Sequence, residues 1–595
     1  MGVLADDRTR LITEKPDSFY RSAAWSDSIR GQFRKTNIRI LLMAGVACLA
    51  VAVVILLTMS FARVSTTTFG AEYGYEKDPT YWHNVAQLEL ETSLKEPTRG
   101  VAKNVILFLG DGMGPTSVTA GRILAGQLKG LKGEEYKLSF DLFPFTGLSR
   151  TYNVDSQITD SAASGTAYLT GVKTNQGVLG LSAATKRANC ASTEGARVDS
   201  ILRWSADAGK STGVVTTTRL THATPGASYS HSADRDWESD RLIPQSEKAC
   251  EDIALQLVTR NQDINVILGG GRAYFYPEGF ADPEPDPNFN TSTVSRLDNR
   301  NLIEEWKNDK AAKKRAHQFV YNKAGLDNVN SVHTDYLLGL FTQDHMTYDL
   351  DRNRTKEPSI AEMTQKAIEI LKKNKHGFFL LVEGGKIDHG HHDSLAHYAL
   401  SELVAMAEAV DVARKLTDDK ETLIVVTADH SHVMDIAGYA TRGTPILGLS
   451  TLDSKVTLED VIDKKPYTTI LYANGPGYVV PRQNLSNVDT SNTSYTFQSG
   501  VPMSSETHGG EDVTIYANGP QSFLYTGVHE QNYIPMVMAY ASCVGPYASG
   551  GKSCAGGQED SRLSACIHVA SGVRPGVCSS CLGIVIVALL YLIMK

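Results

Sequence analysis

The sequence predicts an α/β protein with a large, mostly parallel central sheet, helices on both of its faces, and a β-rich insertion at 433–500. Two observations predict this. Apolar strand-like runs at 104–109, 213–217, 264–268, 378–382 and 422–427 alternate with helical stretches at 196–208, 246–259, 359–374 and 395–415. Alternation of that kind gives a parallel sheet buried on both faces. Several runs also end in acids and histidines, and open α/β sheets bind ligands at the carboxyl ends of their strands.

The elements follow in order. Residues 1–39 are polar and charged and are expected to form a disordered cytoplasmic arm. Ile40–Ala62 is uncharged and long enough to span a bilayer, as an uncleaved signal-anchor or as a signal peptide. Arg30, Arg34, Lys35 and Arg39 precede it, which places the body of the chain outside the cell. Residues 63–100 are a stalk with a helix at Tyr81–Leu94, and 101–545 are the main α/β domain. Residues 433–500, rich in Gly, Pro, Thr and Tyr, interrupt the strand–helix pattern. The tail, 546–595, ends in the apolar run Leu582–Met594 after the small residues Ala570-Ser571-Gly572, the pattern of a lipid-anchor signal.

Composition narrows the function. The chain has 595 residues, 42% hydrophobic and 21% charged, with a formal net charge of −8. An acidic surface excludes a nucleic-acid partner, because a phosphate backbone requires a basic one. Of the 8 Cys, Cys48 lies in the membrane run, and the pairs Cys190–Cys250 and Cys543–Cys554 are expected in an exported chain. Cys566, Cys578 and Cys581 have no assigned partner. Asn290, Asn353, Asn484 and Asn492 head glycosylation sequons.

Four distant segments carry metal-type ligands: Asp111, Glu383 through Asp388 and His389 to His392, Asp429-His430, and Glu506-Thr-His508. Asp388 and His392 are four apart and share one face of a helical turn. Asp160-Ser161-Ala-Ala-Ser is a turn of small residues entering a helix, where free N–H groups favour an anionic phosphate. A plain helix cap by Asp160, Ser161 or Ser164 would explain that segment equally well. A multinuclear cation site beside a serine is equipped to split phosphate esters.

At these residues the chain resembles the alkaline phosphatases, and most closely their animal, membrane-attached forms. The matching segments are Asp111-Gly-Met-Gly, Asp160-Ser161-Ala-Ala, Thr221-His-Ala-Thr-Pro-Gly-Ala, Val382-Glu-Gly-Gly-Lys-Ile-Asp-His-Gly-His-His, Thr427-Ala-Asp-His-Ser-His and Glu506-Thr-His-Gly-Gly-Glu-Asp-Val. The resemblance covers roughly residues 75–545. It implies two Zn²⁺ and one Mg²⁺ per subunit. Asp388, His392 and His508 match ligands of the first zinc. Asp429, His430 and Asp111 match ligands of the second, joined by the nucleophile Ser161. Asp111, Glu383 and Thr224 match the magnesium ligands, with a threonine where the family often has serine. Arg235 matches the phosphate clamp, Asp160 adjoins the nucleophile, and His222 and His389 match outlying histidines near the magnesium. Ca²⁺, held by some animal members, is doubtful, because Thr342 stands where an acid is expected beside Glu284 and Phe341. The resemblance further implies broad phosphate-monoester specificity, a homodimer formed partly by the 433–500 crown, and cell-surface attachment. A phosphodiesterase or sulfatase of the same fold competes, but Ser161 lacks the sulfatase Pro and Arg, and Glu383 argues for monoesters. An inactive membrane-displayed binding protein competes less well, since every ligand is intact.

Overall fold

The computed structural model describes residues 79–93, 97–450, 457–548 and 554–555. The chain divides into two units, Met1–Leu94 and Lys95–Lys595. Of the first, only the helix Pro79–Ser93 is described, close to the expected Tyr81–Leu94. No helix among the described residues is long and apolar enough to cross a membrane. The runs Ile40–Ala62 and Leu582–Met594, the N-terminal arm, and Cys48, Cys566, Cys578 and Cys581 lie outside the described residues.

The second unit is built on a sheet of ten strands. In chain order the strands are β1 (Asn104–Gly110), β2 (Phe145–Arg150), β3 (Ser211–Arg219), β4 (Val266–Gly270), β5 (His317–Val320), β6 (Tyr336–Leu340), β7 (Phe378–Gly384) and β8 (Thr422–Ala428). After these come β9 (Ser431–His432), β10 (Met434–Ile436), β11 (Ile470–Gly475), β12 (Ser499–Pro502), β13 (His508–Gly509), β14 (Val513–Asn518) and β15 (Gly527–Glu530). The large sheet has the order β15-β2-β14-β8-β1-β7-β3-β4-β6-β5. Only β14 runs against its neighbours. β10, β11 and β12 form a separate three-stranded sheet in and just beyond 433–500.

The central strands are apolar throughout because both faces are covered. Val105, Leu107 and Leu109 of β1 enter one core, with helices Ile201–Asp207, Ile253–Arg260 and Tyr533–Ser542. Ile106 and Phe108 enter the other, with helices Pro115–Gln127, Ile360–Leu371 and Ala396–Leu416. Each fully buried Leu or Phe contributes about 1.5–3 kcal/mol, against about 0–1 for an exposed ion pair. The core therefore fixes the strand register, because a one-residue slip would exchange the two faces.

That register positions the site. Leu109 pairs with Glu383 across β1 and β7, and Gly110 pairs with Ala428 across β1 and β8. Asp111, Glu383 and Asp429 thus reach one sheet edge at the same level. The disulfides Cys190–Cys250 and Cys543–Cys554 are present, with Cα separations of 5.7 and 5.4 Å.

Candidate metal centre and nucleophile

Ser161 opens the helix Ser161–Thr170, but Asp160 is its cap, accepting from the Ala163 N–H at 3.1 Å. The Ser161 hydroxyl is therefore free of capping duty. It is buried, 3.5 Å from Asp111 Oδ1 and 3.3 Å from His430 Nε2. The run of small residues has a packing reason. A Cβ on Gly165 would stand 3.0 Å from the Ala227 Cβ of helix Ala223–Tyr229, the helix that carries Thr224. Close approach also explains Asp111-Gly-Met-Gly. Gly112 has φ +69°, and a Cβ there would meet the His432 ring at 2.4 Å.

The first group gathers Asp388, His392 and His508. His392 Nδ1 lies 2.6 Å from the Glu506 carbonyl and His508 Nδ1 lies 2.8 Å from the Thr159 carbonyl. A carbonyl only accepts, so both Nδ1 atoms carry the proton and both Nε2 atoms present lone pairs. Those lone pairs face each other at 3.2 Å, each 3.4 Å from Asp388 Oδ1. A convergence of acceptors is stable around a cation.

The second group repeats this. His430 Nδ1 lies 3.2 Å from the Ser431 carbonyl, which leaves Nε2 as an acceptor facing Asp429 Oδ2 at 3.1 Å and Asp111 Oδ1 at 3.5 Å. Asp429 Oδ1 is held by the N–H groups of Gly112 and His430, both at 2.9 Å.

The third group surrounds Glu383. Its Oε2 accepts from Thr216 at 2.5 Å and Thr218 at 3.1 Å. Its Oε1, Asp111 Oδ2 and His222 Nδ1 are buried without a hydrogen-bond partner. Ligand atoms of these three residues lie within 4.8 Å of one another. Thr224 is buried and accepts from Tyr168 at 3.2 Å. Buried polar atoms are normally satisfied, so two orphaned carboxylate oxygens in one group fit a hard cation. Burial, with Asp429, Asp388 and Glu383 adding, raises Asp111 well above the carboxylate range. Burial also lifts Glu383 to about 7, against the lowering effect of the Thr216, Thr218 and Thr224 hydroxyls. Negative charge is concentrated here beyond what the protein's own cations balance.

Arg235 reaches the nucleophile side, donating to Asp160 Oδ2 and His222 Nε2, both at 3.1 Å. His389 stands apart from Asp111 and Glu383, grouped instead with His222 and His345. Glu284 bonds Asn322 at 2.9 Å, and the Thr342 hydroxyl donates to the Asp344 carbonyl at 2.7 Å.

Two buried residues escaped the sequence-level assignment of roles. His432 bridges Asp388 at 2.8 Å and Glu506 at 2.5 Å. Burial opposes its charge, but those two carboxylates outweigh it and raise the ring to about 10. His432 therefore donates from both nitrogens and fixes Asp388 from behind. Its signal was the second histidine of Asp429-His-Ser-His432, two residues on and so on the same side of a short strand. His391 is the other, held between the Ser117 and Tyr472 hydroxyls at 2.9 Å each.

Acid and imidazole clusters around a helix-borne serine, at the strand ends of a doubly covered sheet, define a metallohydrolase of the α/β class. The alkaline phosphatase family model matches residues 102–544. Human tissue-nonspecific alkaline phosphatase is 51% identical over 495 residues, covering 81% of this chain and 93% of that protein. An alkaline phosphatase of Gadus morhua is 50% identical over 477 residues, covering 79% and 98%. The solved alkaline phosphatase of the Antarctic bacterium TAB5 shares the fold, with a TM-score of 0.51 at 21% identity, covering 75% of this chain and 99% of that one. The chain belongs to the alkaline phosphatase family.

Proposed function

We propose that this enzyme hydrolyses a broad range of phosphate monoesters through a phosphoserine intermediate, with two Zn²⁺ and one Mg²⁺ at the three groups above. The observation that carries it is the convergence of paired lone pairs and orphaned carboxylate oxygens around Ser161. Asp388, His392 and His508 would hold one zinc, Asp111, Asp429 and His430 the other, and Asp111, Glu383 and Thr224 the magnesium. A solved variant of the TAB5 alkaline phosphatase carries bound Mg. Such cations supply Lewis acidity and lower the pKa of nearby hydroxyls.

The chain's own groups then perform the displacement. Ser161 Oγ attacks phosphorus as the ester P–O bond breaks, the serine proton ends on the departing alcohol, and the helix N-terminus behind Ser161 favours the anion. Arg235 swings its planar guanidinium from Asp160 onto two phosphate oxygens. Asp160 stays fixed by the Gly177 and Ala163 N–H groups, and so keeps Arg235 in reach. His222 and Asp160 thus act through the clamp. Water finally takes the phosphoryl group from Ser161 and inorganic phosphate leaves.

Replacing Arg235 by Ala is expected to raise the inhibition constant of inorganic phosphate at least about tenfold, the loss of hydrogen bonds to a charged group. Unchanged phosphate inhibition would refute the clamp. In the same assay the native enzyme should favour a chromogenic monoester over the matching diester and sulfate ester, and the reverse preference would overturn the proposal.

We further infer a two-fold homodimer at the cell surface. Tyr439, Ile462 and Val480 of the 433–500 insertion are 70%, 99% and 72% exposed, which suits a covered interface. The sequons suit an exported chain. In all four the following hydroxyl donates to the Asn Oδ1 at 2.8 Å, leaving the amide nitrogen outward. One experiment tests both inferences. A phosphatidylinositol-specific phospholipase should release activity from intact cells, and the released protein should sediment as a dimer. Retention on the cell would assign the anchor to Ile40–Ala62, and a released monomer would refute the dimer.

A further inference from the structure

One buried carboxylate ties together the two segments that meet at the phosphate clamp. Arg219 ends β3, and the chain passes there through Thr221 and His222 into the helix Ala223–Tyr229, which carries Thr224. The other segment, 233–238, carries Arg235. Its backbone is anchored twice. The Arg235 N–H donates to the Gly177 carbonyl at 2.9 Å, and the Glu238 carbonyl accepts from the Ala254 N–H at 3.2 Å.

The Glu238 side chain then joins the two segments. Glu238 is 5% exposed. Arg219 donates to it side-on, Nη2 to Oε1 at 2.7 Å and Nε to Oε2 at 2.8 Å. The buried Thr221 hydroxyl donates to Oε2 at 2.5 Å. On the loop that follows β6, Asp344 accepts from Arg219 Nη1 at 2.8 Å and the His345 ring lies against the same nitrogen. The Arg219 Cζ lies 5.2 Å from the centroid of the Tyr274 ring. A planar guanidinium held by two carboxylates is a fixed point. Thr221 adjoins His222, whose Nε2 meets Arg235 Nη2 at 3.1 Å. The Thr221–Glu238 bond therefore sets where Arg235 stands relative to the ring it leans on.

We propose that Glu238, locked by Arg219 and Thr221, is a positioning residue for phosphate binding, which holds Arg235 in reach of the phosphoryl group and acts only through it. This rests on Arg235 as phosphate clamp.

The test measures inhibition of the purified holoenzyme by inorganic phosphate. In Glu238→Gln the amide NH2 must face a donor of Arg219 or Thr221, whichever way it is turned. Thr221→Val keeps the shape and the ion pair but removes the hydroxyl, and it decides the matter should Glu238→Gln fail to fold. Each variant is expected to raise the inhibition constant about fivefold, the scale of coupling within one hydrogen-bond network. KM for a chromogenic monoester should rise by more than kcat falls. Thr221→Ser, which keeps the hydroxyl, should restore most of the native inhibition. In an Arg235→Ala background Thr221→Val should have no further effect, because no clamp is left to position. An unchanged inhibition constant in Thr221→Val, even with a lower melting temperature, would reduce the network to a structural ion pair and overturn the proposal. An equal loss in the Arg235→Ala background would do the same. Loss of bound Mg²⁺ from Thr221→Val would route the effect through Thr224, also against the proposal. If Arg235→Ala raises the constant while Thr221→Val does not, the positioning role alone fails and the clamp stands. If Arg235→Ala changes nothing, both fall.

Discussion

Ser161→Ala is expected to reduce turnover at least about a thousandfold while the fold and the metal content stay native. The fold survives because Ser161 carries little structural duty. Asp160 supplies the cap, accepting from Ala163, so the helix keeps its start. Alanine is the best helix former, and Ala162 and Ala163 already continue the segment. The hydroxyl's contacts to Asp111 and His430, 3.5 and 3.3 Å, are long. Turnover falls because no other hydroxyl replaces it there. Ser164 is bound to the Asp160 carbonyl at 2.9 Å and lies 3.5 Å from Asp429 Oδ2. Steady-state rates on a chromogenic monoester, thermal melting and elemental analysis check the three parts. The variant should also fail to retain covalent phosphate after an acid quench. Activity within about tenfold of native would remove Ser161 as nucleophile.

The central architecture was legible because burial on both faces leaves an unbroken apolar run. β1, β7 and β8 are such runs, and their ends carry Asp111, Glu383 and Asp429. β2 and β15 lack that mark. Phe145–Arg150 buries only Gly147 and Ser149, and the edge strand Gly527–Glu530 beside it buries nothing fully. β6 was missed although it is apolar and as long as β4, which was anticipated. That miss had a consequence, because His345 lies just beyond its carboxyl end, where the strand-end rule would have drawn attention to it. His432 was missed for another reason. Its partner Glu506 is distant in sequence, and only the pairing of β9 with β13 brings them together. The cap at Ser161 could not be resolved from sequence either, since Asp160, Ser161 and Ser164 all have cap-forming side chains.

Removal of the cations is expected to abolish turnover and to destabilise the protein most at alkaline pH. Glu383 has an ordinary value of 4.5 and is raised to about 7 where the protein alone surrounds it. Between those values the unfolded chain is ionised and the folded chain holds the proton. Folding then takes up a proton, so stability is lost as pH rises from 4.5 through about 7. Asp111 and Asp429 are raised by burial too and act in the same direction. His432 is raised from 6.5 to about 10, so its contribution is complete below 6.5 and is lost as pH climbs through 10. Both trends penalise the stripped enzyme at the pH where alkaline phosphatases work. Bound cations would reverse the carboxylate trend, because ionised acids are then the stable form. The gap in melting temperature between loaded and chelated enzyme should therefore widen from pH 5 to pH 8. Re-adding Zn²⁺ and Mg²⁺ together should restore both melting temperature and turnover. A gap that stays constant across that interval would mean that the buried acids are balanced by the protein itself, and the three-cation assignment would fall with it.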